Sequence, residues 1–325
     1  MPSLKEIKNR IASVQSTRKI TSAMKMVASS KLHHAQTAIQ NMLPYENLLE
    51  HILKSFLLSA SDDAKNFLST ERKELKAVAL VVYSSNSSLC GGYNNNVIRK
   101  MQEAIDGYKA QGISNITIYP IGRKVAEKVR KMGYEPAGDF IELADKPNAA
   151  ECKNIATELS DKYMKHELDK VELIYHHFRS AGSQVLIRRT FLPIDLSTES
   201  IGKYNDRDLS SNMATAKAQE YLREKGLRKE RSEENHSKAY LEDFIVEPDL
   251  KTVLQSLIPK LLDLMIYTAL LDSCASEHAA RMVAMQTATD NADELLKDLN
   301  LDYNKSRQTA ITNELLDIVG GSVNN

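Results

Sequence analysis

Residues 271–303 read "LDSCASEHAARMVAMQTATDNADELLKDLNLDY", and this stretch decides the fold. Apolar or small side chains recur in it every three or four positions, which places them on one face of an α-helix. The same spacing starts upstream, so that one series covers Leu254, Leu257, Leu261, Leu264, Thr268, Leu271, Ala275, His278, Met282, Met285, Thr289, Ala292, Leu296, Leu299 and Tyr303. A heptad pattern of this length predicts a coiled-coil helix on the order of 90 Å long, whose apolar seam needs a partner.

The N-terminal segment is the candidate partner helix. It contains neither glycine nor proline between Pro2 and Pro44, and Ser3 with Glu6 matches a capping box. The same three-or-four spacing relates Leu4, Ile7, Ile11, Val14, Thr21 and Ala28. These features predict a second long helix, roughly 60 Å if it is unbroken.

The two predicted helices carry opposite charge. Between residues 3 and 31, Glu6 is the single acidic residue against Lys5, Lys8, Arg10, Arg18, Lys19, Lys25 and Lys31. The C-terminal helix is acidic through Asp263, Asp272, Glu277, Asp290, Asp293, Glu294, Asp298, Asp302, Glu314 and Asp317. Opposite charge on two apolar-seamed helices favours their pairing, so we expect an antiparallel coiled coil made of both ends of the chain.

The middle of the chain alternates between strand and helix patterns. Short β-branched or aromatic runs predict strands at 77–84, 115–122, 171–178 and 185–192, and helical patterns lie at 94–110, 123–132 and 149–166. This alternation predicts a Rossmann-like α/β domain with a partly parallel sheet. Because "RSAGSQ" (179–184) resembles a hairpin loop, we expect the last two strands to be antiparallel and the sheet to be mixed.

These patterns divide the chain into four parts. They are an N-terminal coiled-coil helix (1–60), an α/β domain (75–202), a charged insert (203–240) and a C-terminal coiled-coil helix (241–325). The insert is polar and dense in charge, so it has little to bury and is predicted to lie on the surface.

The composition limits the class of protein. The 325 residues have a formal net charge of zero, which gives no general reason to expect a nucleic acid or a membrane as partner. Cys90, Cys152 and Cys274 lack CxxC spacing, which argues against a zinc site and fits a reducing cytosol. The most apolar stretch, residues 257–271, is too short and too charged to span a bilayer. We therefore expect a soluble or peripheral protein.

Catalytic and ligand-binding motifs are weak in this sequence. "SLCGGYNNN" (88–96) follows a strand and precedes a helix, but it lacks both the Walker lysine and the third glycine of a dinucleotide fingerprint. We interpret it as a tight turn with positive-φ glycines, with a Cys90 nucleophile as the less favoured alternative. His176 and His177 are adjacent in a predicted strand, so they point to opposite faces and cannot share a metal. We predict no catalysis, no cofactor and no metal.

The basic surface of the N-terminal helix has three interpretations. It is a solvated face neutralised by the acidic helix beside it, a nucleic-acid surface, or a surface for a protein partner with acidic loops. A nucleic-acid surface would usually bring a basic domain or stacking aromatics, and neither is present. The other two interpretations stay open on these grounds.

Three stretches are similar to a known family. They are "EIKNRIASVQSTRKITSAMKMVASSKL" (6–32), "LCGGYN" (89–94) and "ASEHAARMVAMQTATDNADELLKDLNLDYNKSRQTAITNELLDIVGG" (275–321). Together they resemble the gamma subunit of the F-type, proton-translocating ATP synthase. One departure is visible: the family's closing signature usually ends in Gly-Ala, whereas Gly321 is followed by Ser322 here.

The resemblance implies a function and a set of partners. It implies a central rotor shaft that couples ion-driven rotation of the c-ring to the cycling of three catalytic beta subunits, in either direction. Three alpha and three beta subunits would surround the shaft, and the α/β domain would rest with epsilon on the c-ring. The chain would be non-catalytic and without a cofactor, with no nucleic-acid partner and no direct membrane insertion. It would be peripheral on the cytoplasmic side of a bacterial inner membrane.

The resemblance also implies contact residues. It places Met24 and Lys25 against acidic lever loops of beta, and it places polar contacts with the catch loops of beta at Arg281, Arg307, Gln308, Thr312 and Asp317. The alternative is that some of these side chains only pair within the coiled coil. An enzyme with a Rossmann-like core would instead bind nucleotide as an isolated chain, and a nucleic-acid or scaffold protein would bind without alpha and beta.

The charged insert lies where the photosynthetic branch of the resembled family carries an insert with a redox-active cysteine pair. Residues 203–240 contain no cysteine, which excludes that thiol switch. A steric brake on ATP hydrolysis and a passive surface extension both stay open. Assaying hydrolysis after deletion of the segment would distinguish them.

Overall fold

The computed structural model of the protein describes residues 3–59, 75–194, 246–247 and 249–323. In chain order its elements are α1 (Leu4–Ser59), β1 (Ala77–Tyr83), α2 (Tyr93–Ala110), β2 (Asn115–Ile121), α3 (Arg123–Lys131), α4 (Ile141–Asp145), α5 (Ala149–Met164), β3 (Lys170–Ser180), β4 (Ser183–Leu192) and α6 (Leu250–Val323). The predicted insert at 203–240 lies outside the described residues. The short helix α4 was not predicted.

The four strands form one mixed sheet in the order β2-β1-β3-β4. β1 pairs in parallel with β2 and with β3, whereas β3 and β4 are antiparallel. Only Ala181 and Gly182 separate β3 from β4, so the predicted hairpin is present. The predicted mixed sheet is thereby confirmed, and each of its strands begins and ends within three residues of the predicted bounds.

The sheet is covered on both faces because β1 is apolar throughout. All seven residues of β1 are buried. Val78, Leu80 and Val82 share a core cluster with α2 and α3, whereas Val81 and its same-face neighbours pack with α5 and α6. A parallel strand with helices on both sides typically has a continuous hydrophobic sequence, as β1 does.

The described chain divides into two compact units. One consists of Met1–Ala28 with Arg281–Asn325, and the other of Ser29–Ala280. The first unit contains the beginning of α1 and the end of α6, and the second contains the sheet with its helices.

In the first unit the two terminal helices pack along the predicted seam. Positions of the heptad series are buried on both helices, namely Ile7, Thr21, Ala28, Met285, Ala292 and Leu299. The Thr21 and Thr289 hydroxyls lie 2.9 Å apart, and Arg18 forms an ion pair with Asp293. Because Arg18 precedes Thr21 whereas Asp293 follows Thr289, the two helices run antiparallel. The expected antiparallel pair of terminal helices is thereby confirmed.

The capping box at the start of α1 is also present. The Ser3 backbone N–H donates to Glu6 Oε2 at 3.1 Å, and the Glu6 N–H donates to Ser3 Oγ at 3.3 Å. α1 continues through Pro44, and α6 begins at Leu250 and continues through Pro259. Proline inside these helices costs a backbone hydrogen bond, which the packing of such long elements offsets.

One described helix satisfies length and composition criteria for a membrane span. Within α6 the segment Lys251–Leu316 does so, with 44% of its most apolar window buried inside the protein. Buried helices of water-soluble proteins satisfy the same criteria. The buried leucines Leu261, Leu262, Leu264 and Leu270, which pack against the sheet, account for the apolar character of this helix.

Gly122, between β2 and α3, holds a backbone conformation that suits only glycine. Its φ is +99°, and a Cβ atom built there would lie 2.2 Å from the carbonyl oxygen of Ser84. The same Ser84 makes three hydrogen bonds to this corner. Its N–H and its hydroxyl donate to Ile121 O at 2.8 Å and 3.3 Å, and its hydroxyl accepts from Val125 N–H at 3.1 Å. The connection from β2 to α3 therefore has no room for a side chain.

We expect Gly122→Ala to lower the free energy of unfolding by about 3 kcal/mol or more, because a left-handed backbone and a backbone clash are combined. Chemical denaturation of the full-length chain measures this. Gly107→Ala is the matched control, since nothing lies within 4 Å of a Cβ atom in that helical position. The control should be neutral or stabilising by up to ~1 kcal/mol. Equal stabilities for the two variants would contradict the assignment.

Candidate functional site

The stretch from Ile20 to Val27 on α1 exposes an apolar surface. Ile20, Met26 and Val27 are 60%, 67% and 58% exposed, whereas Thr21 and Ala28 are buried in the seam. Three large apolar side chains exposed within eight residues are typical of a surface that meets a partner. The predicted contact residues Met24 and Lys25 lie among them and are half-buried.

The predicted contact set includes Met24 but not its more exposed neighbours. Met24 lies three residues after Thr21 and four before Ala28, so it occupies a seam position and shares its surface with α6. Ile20, Met26 and Val27 fall outside that register. The signal that could have found them is an apolar side chain at a position that the heptad assigns to solvent.

Between residues 300 and 316, α6 is largely exposed. From residue 300 to residue 316 no side chain is buried, and residues 311–316 are all exposed. Leu301, Ile311, Leu315 and Leu316 are nevertheless large and apolar, with exposed fractions between 50% and 68%. Large apolar side chains that stay exposed among polar ones on a helix end are typical of a surface that meets other chains.

The predicted polar contacts on α6 divide into two groups. Arg307, Gln308 and Thr312 lie within two turns of each other, and all three are exposed. The Thr312 hydroxyl donates to the backbone carbonyl of Gln308 at 2.9 Å. Arg281 lies roughly 40 Å earlier along the helix axis and is only 8% exposed. The side chain of Asp317 lies outside the described residues, so that position stays a sequence prediction.

The "LCGGYN" turn is held together internally. Asn94 Oδ1 accepts from the Ser85 N–H at 3.1 Å, and Asn94 Nδ2 donates to Ser85 Oγ at 2.8 Å and to Cys90 Sγ at 3.1 Å. Cys90 is buried, which fits a structural thiol better than a nucleophile. The tight-turn interpretation therefore fits these contacts.

The glycine prediction for this turn was half wrong. Gly91 has φ +58°, but Gly92 has φ −80° because it already caps the start of α2. The second left-handed residue is Leu89, with φ +68°. The turn thus needs one glycine and one exposed leucine in the left-handed region.

Described residues form no group of three or more His, Cys, Asp or Glu side chains that could hold a metal ion. His176 stacks on Tyr93 of α2, with ring centroids 4.5 Å apart, whereas His177 Nδ1 lies 2.8 Å from Asp272 of α6. The two imidazoles have different partners, as the prediction of opposite strand faces requires.

Comparison with known proteins agrees with these features. The family model described as ATP synthase matches residues 3–323. The chain is 51% identical to the ATP synthase gamma chain of Phocaeicola vulgatus, over 99% of this chain and 100% of that relative. It is 48% identical to the ATP synthase gamma chain of Bacteroides thetaiotaomicron, with the same coverage of both.

Solved structures share the fold. The central stalk of the Tetrahymena thermophila mitochondrial ATP synthase matches with a TM-score of 0.53 at 24% identity, covering 83% of this chain and 99% of that one. A chain of the Euglena gracilis mitochondrial ATP synthase matches with a TM-score of 0.58 at 18% identity, covering 98% and 93%. The full-length relatives and the family model together decide the assignment. The chain therefore belongs to the family of ATP synthase gamma chains.

Proposed function

We propose that this chain is the central rotor shaft of an F-type ATP synthase. In that role it couples ion-driven rotation of the c-ring to the conformational cycling of three catalytic beta subunits, and ATP hydrolysis drives it in reverse. The observation that carries the proposal, beside family membership, is the segment 300–316 of α6, which buries no side chain and exposes the large apolar residues Leu301, Ile311, Leu315 and Leu316. Such a helix end suits a ring of surrounding subunits.

The same exposed surfaces suit motion against partners. Apolar contact is non-directional, so a helix can turn within an apolar ring without breaking oriented bonds. Met26 on α1 is unbranched and adaptable, which allows it to meet changing neighbours. The beginning of α1 and the end of α6 therefore expose large apolar side chains, such as Met26 and Leu316, among their polar residues.

We propose that the beta subunits are contacted through Met24, Lys25, Arg281, Arg307, Gln308, Thr312 and Asp317. One helix that meets three copies of a partner offers its polar groups to one copy at a time, which makes the three copies unequal. Arg307 and Gln308 can donate to partner carbonyls or carboxylates. The Thr312 hydroxyl already donates within the helix, so towards a partner it acts as an acceptor.

The remaining parts of the proposal concern assembly and location. Family membership makes the chain part of a membrane-associated complex. We infer three alpha and three beta subunits around the terminal helices, and epsilon and the c-ring against the α/β domain of residues 75–202. The chain would itself be non-catalytic, would bind no nucleic acid and would not insert into the membrane. It would lie peripherally on the cytoplasmic side of a bacterial inner membrane, with residues 203–240 as a surface insert.

Co-purification tests the proposed function directly. The tagged full-length chain, expressed with its host's ATP synthase subunits, should recover alpha and beta in threefold excess over itself. Staining intensities or quantitative mass spectrometry measure the ratio. Nucleotide binding by the isolated chain, without recovery of alpha and beta, would instead support the enzyme alternative.

The double variant Gln308→Ala with Thr312→Ala tests the polar contacts. We expect coupled ATP synthesis to fall about fivefold to thirtyfold, because two hydrogen bonds of about 1 kcal/mol each are lost. The free energy of unfolding of the chain should change by less than about 0.5 kcal/mol per substitution, since both side chains are exposed.

Thr309→Ala is the matched control for that variant. Its hydroxyl also donates to the carbonyl four residues back, at 3.0 Å, and its side chain is also exposed. Coupled synthesis should stay near normal in this control. Normal synthesis by assembled complexes carrying the double variant would remove Gln308 and Thr312 from the contact set.

The substitution Met24→Lys tests the apolar surface on α1. We expect fewer ions moved per ATP, by about twofold or more, because a second charge beside Lys25 alters a surface that slides past acidic partner loops. The free energy of unfolding should fall by no more than about 1 kcal/mol, since Met24 is only half-buried and the lysine stem can lie along the seam with its ammonium in water.

Gln15→Lys controls for the added charge itself. Gln15 is exposed and lies nine residues before Met24, on the opposite side of the helix. Proton-pumping and hydrolysis rates of reconstituted complexes give the coupling ratio for both variants. Equal ratios in Met24→Lys, Gln15→Lys and the unchanged protein would show that Met24 is no part of the sliding surface.

A further inference from the structure

The buried face of α6 changes character after Leu271. Before this residue its buried positions are apolar, but Asp272, Ser273, Ser276 and Glu277 are buried as well. Four buried polar side chains within six residues are unusual, because each costs free energy unless it is hydrogen-bonded. Being buried in the chain itself, they are not explained by contact with other subunits.

The first of these residues faces strand β3. Asp272 Oδ2 lies 2.8 Å from His177 Nδ1, and each of the two side chains is only 2% exposed. One turn further along α6, the Ser276 hydroxyl donates to the backbone carbonyl of His176 at 3.1 Å. Two successive turns of the helix are thus bonded to two successive residues of the same strand.

A third contact comes from helix α2. The Tyr93 hydroxyl donates to the backbone carbonyl of Ser273 at 3.1 Å, and it lies 2.5 Å from Ser273 Oγ. Burial raises the pKa of Tyr93 well above its ordinary value, so the phenol keeps its proton and remains a donor. The Tyr93 ring is in turn held by the His176 ring stacked on it at 4.5 Å. Burial lowers the pKa of His176 to about 4, so that ring is neutral at neutral pH.

These contacts fix the rotation of α6 about its own axis. Side-chain atoms lie roughly 5 Å from a helix axis, so a 20° turn displaces them by about 2 Å. Hydrogen bonds of about 3 Å do not survive such a displacement. Bonds in two directions, from Asp272 and Ser276 to β3 and from Ser273 to α2, therefore resist both turning and sliding.

We propose that Asp272, Ser273 and Ser276 are positioning residues that set the rotational angle of α6 on the α/β layer. Through them, torque applied to the α/β layer enters the C-terminal helix by directional contacts, and α6 is continuous from Leu250 to Val323. The inference rests on the proposed rotor function and assigns its transmission to particular side chains.

The double variant His177→Leu with Asp272→Leu tests this in the complete, reconstituted complex. Removing both partners together leaves neither of them buried without the other, and such replacements are often tolerated. We expect ATP hydrolysis to stay within about twofold of normal, while ATP-driven ion pumping per ATP falls about threefold or more. A merely structural role would lower assembly and hydrolysis together and leave the ratio unchanged.

Glu172→Leu with Arg188→Leu is the matched control. Arg188 Nε lies 2.7 Å from the buried Glu172 carboxylate and joins β3 to β4, so this pair makes no bond to α6. The control should pump ions normally per ATP. Normal pumping per ATP in the His177–Asp272 double variant would overturn the inference.

If the leucine pair prevents assembly, a milder variant tests the inference in its place. Tyr93→Phe with Ser276→Ala removes two of the bonds to α6 without adding volume, and it should lower pumping per ATP in the same assay. An unchanged ratio in that variant would also overturn the inference. Failure of the proposed function itself looks different, because the unchanged protein would then fail to assemble with alpha and beta or to pump at all.

Discussion

The apolar seam between the beginning of α1 and the end of α6 is the constraint on which the coiled-coil unit depends. Neither helix can bury its seam alone, and small residues such as Thr21, Ala28 and Ala292 allow the two backbones to approach. The ion pair of Arg18 with Asp293 is largely exposed, so it adds little to stability and mainly fixes register. Pairing the ends of the chain leaves the outer helix faces available to partners.

Much of this architecture could be predicted because local periodicity in the sequence specifies it. The strand and helix patterns, the Ser3–Glu6 capping box and the antiparallel terminal helices each depend on residues close together in sequence, or on one repeated spacing. The helix α4 could not be found in this way, since five residues carry no period. The conformation of Gly92 depends on where α2 begins, which a glycine pair by itself does not specify.

The candidate contact surface was predictable only in part, because burial depends on the partner helix. Heptad spacing identifies which side chains enter the seam, and it correctly placed Thr21 and Ala28 there. It does not reveal that Arg281 is buried while Gln308 is exposed, since both are polar side chains on the same helix. The exposed Ile20 and Val27 were visible in the sequence as apolar residues outside the register, and their meaning became clear from the pairing.

The long helix α6 meets two kinds of neighbour with two kinds of chemistry. Where its neighbours change during rotation, oriented bonds would have to break at every step, and an apolar surface such as that of Ile311 and Leu315 avoids this cost. Where its neighbour is the strand β3 of the same chain, nothing needs to move, and buried hydrogen bonds such as that of Ser276 can specify one arrangement. In the proposed rotor, directional contacts therefore belong where α6 lies on the sheet and must not turn, and exposed apolar side chains belong where the helix must turn within its surroundings.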